Sequence, residues 1–328
     1  TVCSQHNTVR KHAMITTLRA MILGMSSLLA ASTPAADVPE KAYLFSYFIN
    51  NGEDGLHLAW SADGLRWEAL NDGKSFLKPE VGKSKLMRDP CITTGPDGTF
   101  HMVWTDSWDS GTIGYASSKD LITWSPQKAL GVMAHEPGTR NCWAPEIVYD
   151  AKDKHFRMFW ASTVPGKFPE TEHGGRNDLN HRMYSTTTMD FVTFTPTTLY
   201  FDPGHNVIDS TLTEFRGKTL MVYKDETKIP EAKKNLKFAI ASSPSGPFTP
   251  VPGNINPPGS WVEGPTVLHL GEKTILYFDA YTRHRYEALE TEDFKTWRDV
   301  SSELSFPPGI RHGTMFAVRK ETLRRLLE

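Results

Sequence analysis

The sequence predicts an all-β fold, a five-bladed β-propeller whose blades each contain four antiparallel strands. Three observations lead to this prediction. A short segment ending in an aromatic residue recurs along the chain, an apolar hairpin precedes most of its copies, and one apolar strand near the C-terminus has no partner of its own. A repeat of roughly 50 to 70 residues that contains four short strands is typical of a propeller blade.

The recurring segment marks the outer part of each predicted blade. Its five copies are SADGLRW at 61–67, SKDLITW at 118–124, TMDFVTF at 188–194, SSPSGPF at 242–248 and TEDFKTW at 291–297. Four hairpins, at 89–107, 144–162, 209–226 and 263–281, turn at PDG, AKDK, FRGK and GEK. Such polar turns between apolar runs are hairpin signals. A third strand, as at 112–118 or 236–243, and a fourth strand around the closing aromatic complete each unit.

The first unit lacks its opening strand, because the chain enters directly on the strands at 43–49 and 56–61. The segment 311–319 follows the last complete unit and is apolar enough to be the missing strand. We therefore expect the C-terminal strand to pair with the N-terminal strands, which closes the ring and removes exposed sheet edges. The final residues, 320–328, are predicted to form a short surface helix.

Composition excludes several classes of protein. Hydrophobic residues make up 39% of the 328 residues, with 24 glycines, which is typical of a globular chain and not of a disordered or collagen-like one. Lys and Arg number 36 against 38 Asp and Glu, for a formal charge of −2. No basic field indicates nucleic acid as a partner.

The N-terminal region has the pattern of a secretory leader. Arg19 precedes an apolar run at 20–31, and small residues follow at Ala35 and Ala36. We therefore expect residues 1–36 to be a leader with upstream residues, and residues 37–328 to be one five-bladed propeller domain. The apolar run is too short to span a bilayer, so the predicted location is periplasmic or extracellular, with no membrane attachment after leader removal.

Cys91 and Cys142 are the two cysteines outside the leader region. Two cysteines define neither a disulfide framework nor a zinc site. Both are predicted near the starts of neighbouring inner strands, where either a disulfide or two buried thiols is sterically reasonable.

The starts of the innermost strands should line one mouth of the central channel. These positions are 88–90, 143–146, 208–210, 263–265 and 311–313. Alignment of the hairpins places Asp89 level with Asp209, and Glu263 one residue earlier. Three acids are thus predicted at one mouth, where a partly desolvated cavity would push their pKa values apart for acid and base work.

On RDP at 88–90, WAPE at 143–146, IDS at 208–210, EGP at 263–265 and RHGT at 311–314, the chain resembles glycoside hydrolase family 43 and its relatives in the five-bladed propeller clan. The resemblance extends from Tyr43 to about Arg319. It implies that Asp89 is the general base, that Asp209 tunes a pKa and orients its neighbour, and that Glu263 is the general acid. It also implies inverting hydrolysis, with roughly 6.5 to 9.5 Å between base and acid.

Four further residues are predicted to bind substrate. Trp143 either stacks on the sugar or packs between blades, and Arg88 and Arg311 either donate to sugar hydroxyls or hold the carboxylates ionised. His312 lies where family members often place a histidine near a central water or calcium ion. Calcium next to His312 is therefore a candidate ligand, although no cofactor or metal is predicted to be required. Glu146 is predicted to point away from the channel or to orient Trp143.

The insert at 165–181 is polar and contains glycine, and such a rim loop is often functional. It is interpreted as a wall of the substrate cleft, with a mobile excursion as the alternative. A second candidate rim loop lies at 135–141.

Together with the predicted leader, the resemblance implies an exported hydrolase that releases a terminal pentose, α-L-arabinofuranose first and β-xylose second, from plant-type or algal polysaccharides or oligosaccharides. A non-catalytic carbohydrate-binding propeller is the competing class, because the same fold has many functions. A fructosidase or a phosphorylase of related architecture is a further alternative. The N-terminal nucleophile motif of the fructan-cleaving relatives is missing, since 45–55 contains no Asp-Pro pair. The oligomeric state is left open.

Overall fold

A computed structural model describes residue 39 and residues 41–172, 176–257 and 259–328. The leader predicted at 1–36 lies outside the described residues, and the extent of the domain from 37 to 328 stays a prediction. Within the described part of the chain, no helix has the length and apolar character that crossing a membrane requires.

Five separate sheets of four antiparallel strands follow one another along the chain, so the predicted blades are confirmed. The second blade contains β4 (Arg88–Thr94), β5 (Phe100–Thr105), β6 (Ile113–Ser118) and β7 (Lys128–Leu130). The third contains β8 (Trp143–Asp150), β9 (His155–Thr163), β10 (His181–Thr188) and β11 (Thr198–Phe201). The fourth contains β12 (Val207–Phe215), β13 (Lys218–Asp225), β14 (Asn235–Ala241) and β15 (Thr249–Val251). The fifth contains β16 (Glu263–Leu270), β17 (Lys273–Ala280), β18 (Arg285–Thr291) and β19 (Arg298–Asp299).

The first blade joins the two ends of the described chain. Its strand order is β20 (Gly313–Arg319), β1 (Lys41–Tyr47), β2 (His57–Ser61) and β3 (Glu68–Ala69). The pairing runs from Tyr47 opposite Gly313 to Lys41 opposite Arg319. A Cβ atom on Gly313 would lie 1.7 Å from the backbone oxygen of Ser46, so only glycine fits where the ring closes. The predicted closure is confirmed.

The blades pack face to face through five apolar clusters, one at each junction between neighbouring blades. Successive side chains of a strand point to opposite faces of its sheet. Val222 accordingly packs against the fifth blade, whereas Met221 and Tyr223 pack against the third. Because both faces of each sheet are buried, the middle strands are continuous apolar runs rather than alternating ones.

The recurring segment forms the turn that leads to the outermost strand. In the second blade, Ser118 Oγ accepts hydrogen bonds from the backbone N–H groups of Asp120 and Leu121, and Asp120 Oδ1 accepts from Ile122 and Thr123. Asp63, Asp190 and Asp293 accept in the same way in three other blades. The spacing of a hydroxyl residue and an aspartate is therefore a repeated turn device.

The C-terminal helix α1 (Lys320–Leu327) forms as predicted and buries Leu323 and Leu326. Cys91 and Cys142 are both buried and free, so the two-thiol alternative holds. The backbone N–H of Ile147 donates to Cys91 Sγ at 3.4 Å, and Cys142 Sγ lies 3.5 Å from Ser162 Oγ.

Candidate active site

A β-bulge interrupts the inner strand of four blades close to its first residue. In each one the register shifts by one residue against the second strand. The first of the two unpaired residues in each bulge has a positive φ. These residues are Asp89 (52°), Ala144 (44°), Asp209 (50°) and Gly264 (57°). Bulges re-aim side chains, and Asp tolerates the left-handed region better than most residues. The same local distortion therefore turns Asp89 and Asp209 towards the mouth.

Glu263 directly precedes its bulge, which explains its offset of one residue from the two aspartates. Gly264 takes the position of the aspartates in the fifth blade. A Cβ atom there would lie 2.5 Å from His312 Cγ, so the close approach of His312 requires glycine.

One pocket of about 450 Å³ at this mouth is lined by every residue that the sequence predicted for the site. Those residues are Arg88, Asp89, Trp143, Asp209, Glu263, Arg311 and His312. Ten more residues line it, namely Asn50, Asn51, Thr105, Trp108, Leu179, His181, Asn206, Ile208, Glu226 and Tyr281.

Asp89, Asp209 and His312 meet on the floor of the pocket, and all three side chains are almost fully buried. His312 Nδ1 lies 3.2 Å from Asp89 Oδ1 and 3.8 Å from Asp209 Oδ2. Thr105 donates its hydroxyl to Asp89 Oδ2 at 2.8 Å, and the backbone N–H of Gly264 donates to Asp209 Oδ2 at 3.1 Å. Each aspartate is thus held by a partner on a neighbouring strand or blade.

The two aspartates have very different pKa values. Burial acts to raise the pKa of Asp89, but the charge and hydrogen bond of His312, together with Arg88 and Thr105, outweigh burial and lower it to about 2. At Asp209, burial and the charges of Glu263 and Asp89 outweigh His312 and raise the pKa to about 6. Asp89 is therefore the more firmly ionised carboxylate, as a general base needs to be.

His312 provides a pH-dependent contribution to stability. Burial acts to lower its pKa, but the charges of Asp209 and Asp89 outweigh burial and raise it from 6.5 to about 9. Because protonation is favoured in the folded state, this contribution is complete below the unfolded pKa and is lost as the pH rises through the folded one. We expect the thermal midpoint of the wild type to fall more steeply with pH, between about pH 7 and 10, than that of His312→Gln. Circular dichroism melts of both proteins measure the two slopes, and equal slopes would contradict the assignment.

Glu263 lies at the centre of a chain of ion pairs that crosses the fourth, fifth and first blades. Lys224 Nζ donates to Glu263 Oε2 at 3.1 Å, and Arg311 Nη2 donates to Glu263 Oε1 at 3.0 Å. Arg311 Nε also donates to Asp279 Oδ2 at 2.7 Å. On the other side, Lys224 Nζ lies 2.8 Å from Glu226 Oε2. Both oxygens of Glu263 are consequently held by cations.

The charge of Lys224 has no access to solvent, since its side chain is 2% exposed. Burial acts to lower its pKa, but Glu263 and Glu226 outweigh burial and raise it well above the ordinary range. Its ammonium also lies 4.9 Å from the centre of the Tyr281 ring. Lys234, likewise buried, pairs with the other oxygen of Glu226. Positive and negative side chains thus alternate along this series of ion pairs, from Lys234 to Asp279. Each buried charge therefore has a partner of opposite sign, without which its burial would be costly.

Glu146 is not one of the residues that line the pocket, and whether it points away from the channel or orients Trp143 stays a prediction. It is 7% exposed, and the Thr211 side chain hydrogen-bonds to it from the next blade. Burial is the largest effect and raises its pKa to about 8, with the charges of His312 and Asp209 close enough to act on it.

Arg88 and Trp143 belong to an aromatic wall of the pocket. The Arg88 guanidinium lies 4.2 Å from the centre of the Trp108 ring and 4.6 Å from that of Phe48, and it donates to Asn51 Oδ1 at 3.0 Å. The Trp143 ring meets the Trp108 ring edge-on, with centres 5.6 Å apart. Direct sugar binding by either residue stays a prediction.

Several pocket residues escaped sequence reasoning although a signal for them existed. The second strand of each blade runs antiparallel to the inner one, so its last residues return to the same mouth. Thr105 ends β5, Glu226 directly follows β13, and Tyr281 directly follows β17. Reading the ends of the second strands together with the starts of the first would have found all three.

The insert at 165–181 contributes Leu179 and His181 to the pocket, in agreement with its interpretation as a wall. Lys167 in the insert pairs with Glu136 in the second rim loop, and Arg140 Nη1 donates to the backbone oxygen of Asn177 at 3.2 Å. The two rim loops therefore support each other.

A group that could hold a metal ion lies elsewhere, at the turn between β8 and β9, where ligand atoms of Asp150, Asp153 and His155 all come within 4.8 Å of one another. Calcium next to His312 stays a prediction. Because His312 Nδ1 pairs with Asp89, only Nε2 of His312 would be left to bind a metal ion.

Residues 39–323 match the glycosyl hydrolase 43-related family, which is described as a probable glycosyl hydrolase domain. The chain belongs to this family. The resemblance to family 43 seen in the sequence is confirmed, and a carbohydrate substrate follows from membership.

Individual relatives of this family 43-related hydrolase are distant. An α-L-arabinofuranosidase of Bifidobacterium longum subsp. longum is 24% identical over 221 residues, which cover 58% of this chain and 20% of that protein. The chain thus spans about a fifth of the curated relative it matches.

Two solved structures illustrate the likeness in fold. A family 117 glycoside hydrolase of the marine bacterium Zobellia galactanivorans gives a TM-score of 0.51 at 19% identity, covering 68% of this chain and 71% of that one. An α-L-arabinofuranosidase of Lactobacillus brevis gives a TM-score of 0.49 at 20% identity, covering 66% and 72%. At these identities the likeness concerns the fold alone.

Proposed function

We propose that this family 43-related hydrolase is an exported enzyme that removes a terminal pentose from plant-type or algal polysaccharides or oligosaccharides with inversion of configuration. α-L-Arabinofuranose is the first choice of sugar and β-xylose the second. The observation that carries the proposal is the placement of Asp89, Asp209 and Glu263 around one pocket of about 450 Å³. That volume is suitable for one sugar ring with part of the next.

The chemistry divides among the three acids according to their surroundings. Asp89, with its pKa lowered to about 2, is ionised throughout the neutral range and takes the proton of the attacking water. Glu263, which lines the same pocket, gives a proton to the departing oxygen. Asp209 accepts the backbone N–H of Gly264 and thereby holds the strand that carries Glu263.

The two cations that bind Glu263 limit its role as the general acid. Lys224 and Arg311 bind both of its oxygens, so the acid role requires that substrate binding weaken at least one of these contacts. Arg311 is the partner with more freedom, because its side chain is 34% exposed and that of Lys224 only 2%. Rotation of Arg311 towards a sugar hydroxyl would release one oxygen of Glu263 for the proton.

A panel of pentosides tests the proposal. The wild type is expected to hydrolyse 4-nitrophenyl α-L-arabinofuranoside or β-xyloside, and proton NMR during the first minutes should show the released sugar in the opposite anomeric configuration. A retained configuration would overturn the inverting mechanism. Absence of turnover on every pentoside, with other glycosides cleaved, would overturn the choice of sugar.

A further inference from the structure

Trp108 is an exposed aromatic residue at the mouth of the pocket, in the loop 106–112 between β5 and β6. It is 46% exposed, whereas most of the other tryptophans in the described part of the chain are buried or half-buried. It nevertheless lines the same pocket as the three acids. A large apolar side chain that stays exposed beside a polar pocket is typical of a ligand-contact surface.

Trp108 is held in place by three contacts, two to its indole ring and one to its backbone. Its Nε1 donates to Asn51 Oδ1 at 3.0 Å, and the Arg88 guanidinium lies 4.2 Å from the ring centre. Trp143 Nε1 donates to the backbone oxygen of Trp108 at 2.9 Å. A ring that is ordered before the ligand arrives loses little conformational entropy on binding.

The loop that carries Trp108 is also fixed at both ends. Asp106 is fully buried and accepts hydrogen bonds from Ser110 at 2.9 Å and Thr112 at 2.7 Å. Ser107 Oγ accepts from the backbone N–H of Ser84 at 2.7 Å. The exposure of Trp108 is therefore a property of an ordered loop.

Part of the Trp108 surface stays exposed although two side chains contact its ring. The Arg88 guanidinium lies 4.2 Å from the centre of the indole ring and the Trp143 ring centre lies 5.6 Å from it, yet 46% of Trp108 stays exposed. The acids on the floor hold the sugar whose bond is broken, so the remainder of the substrate must pass the mouth. Trp108 lines the pocket and is exposed at its mouth, so that remainder would pass beside it.

We propose that Trp108 is a stacking platform for the sugar unit on the leaving-group side of the scissile bond, and that it sets a preference for oligosaccharides over simple glycosides. The inference rests on the proposed function of the pocket as a hydrolytic site. An indole ring binds the apolar C–H face of a pyranose ring. The affinity comes from the burial of the sugar face and the indole surface against each other.

Substrates with and without a sugar as leaving group provide the test. Trp108→Ala should lower kcat/KM on an arabinofuranosyl-substituted xylotriose by about 10- to 50-fold, mainly through KM, the size of a lost aromatic anchor. Turnover of methyl α-L-arabinofuranoside should change less than about threefold, because this substrate has no leaving sugar to stack. Should the enzyme prefer xylose, xylotriose and methyl β-xyloside form the corresponding pair.

Trp108→Phe is the matched control, since it keeps an aromatic face and removes the N–H bonded to Asn51. It should recover most of the activity on the oligosaccharide. Equal losses on both substrates, or a Phe variant as poor as the Ala variant, would show that Trp108 only supports Arg88 and would overturn the inference. If the wild type cleaves no pentoside, the proposed function fails separately. Calorimetric binding of the arabinofuranosyl-substituted xylotriose by wild type and Trp108→Ala then shows whether Trp108 binds a sugar ring.

Discussion

Replacing Glu263 by Gln should lower kcat/KM on methyl α-L-arabinofuranoside by about 10²- to 10⁴-fold, the usual contribution of a general acid. On 4-nitrophenyl α-L-arabinofuranoside the loss should be much smaller, because nitrophenolate departs with little help from a proton. The ratio between the two substrates therefore reports the acid role itself. Stopped assays of released arabinose measure the first substrate and absorbance the second.

Asp89→Asn is the matched control for leaving-group dependence. A general base acts on the attacking water, so its loss should slow both substrates by the same large factor. Melting curves of both variants exclude unfolding as the cause. If Glu263→Gln slowed both substrates equally, Glu263 would not be the proton donor. If Asp89→Asn showed the leaving-group dependence instead, the two roles would be reversed.

The fold was predictable because several sequence signals agreed. The Ser/Thr-x-Asp turn recurs in four of the blades with the same hydrogen bonds, and apolar runs buried on both faces mark the middle strands. The missing partner of the N-terminal strands left only 311–319 to close the ring. Each local pattern pointed to the same topology, which is the condition for reliable prediction.

The candidate site was predictable only where its residues lie on the inner strands. Equal register in the hairpins located Asp89, Asp209 and Glu263, since these residues flank bulges in corresponding strands.

Contacts between blades could not be inferred from the sequence. Lys224 and Glu263 belong to different blades and are 39 residues apart in the chain, yet they form one ion pair. A lysine near the end of an apolar strand has no distinguishing mark in the sequence, and its burial becomes visible only when the neighbouring blade is in place. Trp108 was missed similarly, since its role depends on Arg88 and Asn51 from other segments.

Lys224→Met should impair both stability and catalysis, because it leaves Glu226 and Glu263 without the cation they share. Breaking a buried ion pair costs about 3 to 5 kcal/mol, which corresponds to a fall of roughly 5 to 15 °C in Tm. The carboxylate of Glu263 also loses one of its two anchors, and such misplacement of a reacting group reduces kcat by about 10²-fold. Thermal melts and turnover of the preferred pentoside measure the two effects.

The pH profile of kcat/KM distinguishes a purely structural role of Lys224 from an electrostatic one. Removal of a buried positive charge favours the protonated forms of the carboxylates around it, so the alkaline limb of kcat/KM should move to higher pH in Lys224→Met. Lys224→Arg keeps the charge and should keep the limb, even if the longer side chain lowers stability. Lys218→Met, an exposed lysine at the start of the same strand, is the control for loss of a charge remote from the pocket. An unmoved alkaline limb in Lys224→Met would mean that Lys224 contributes packing and not the electrostatic setting of Glu263.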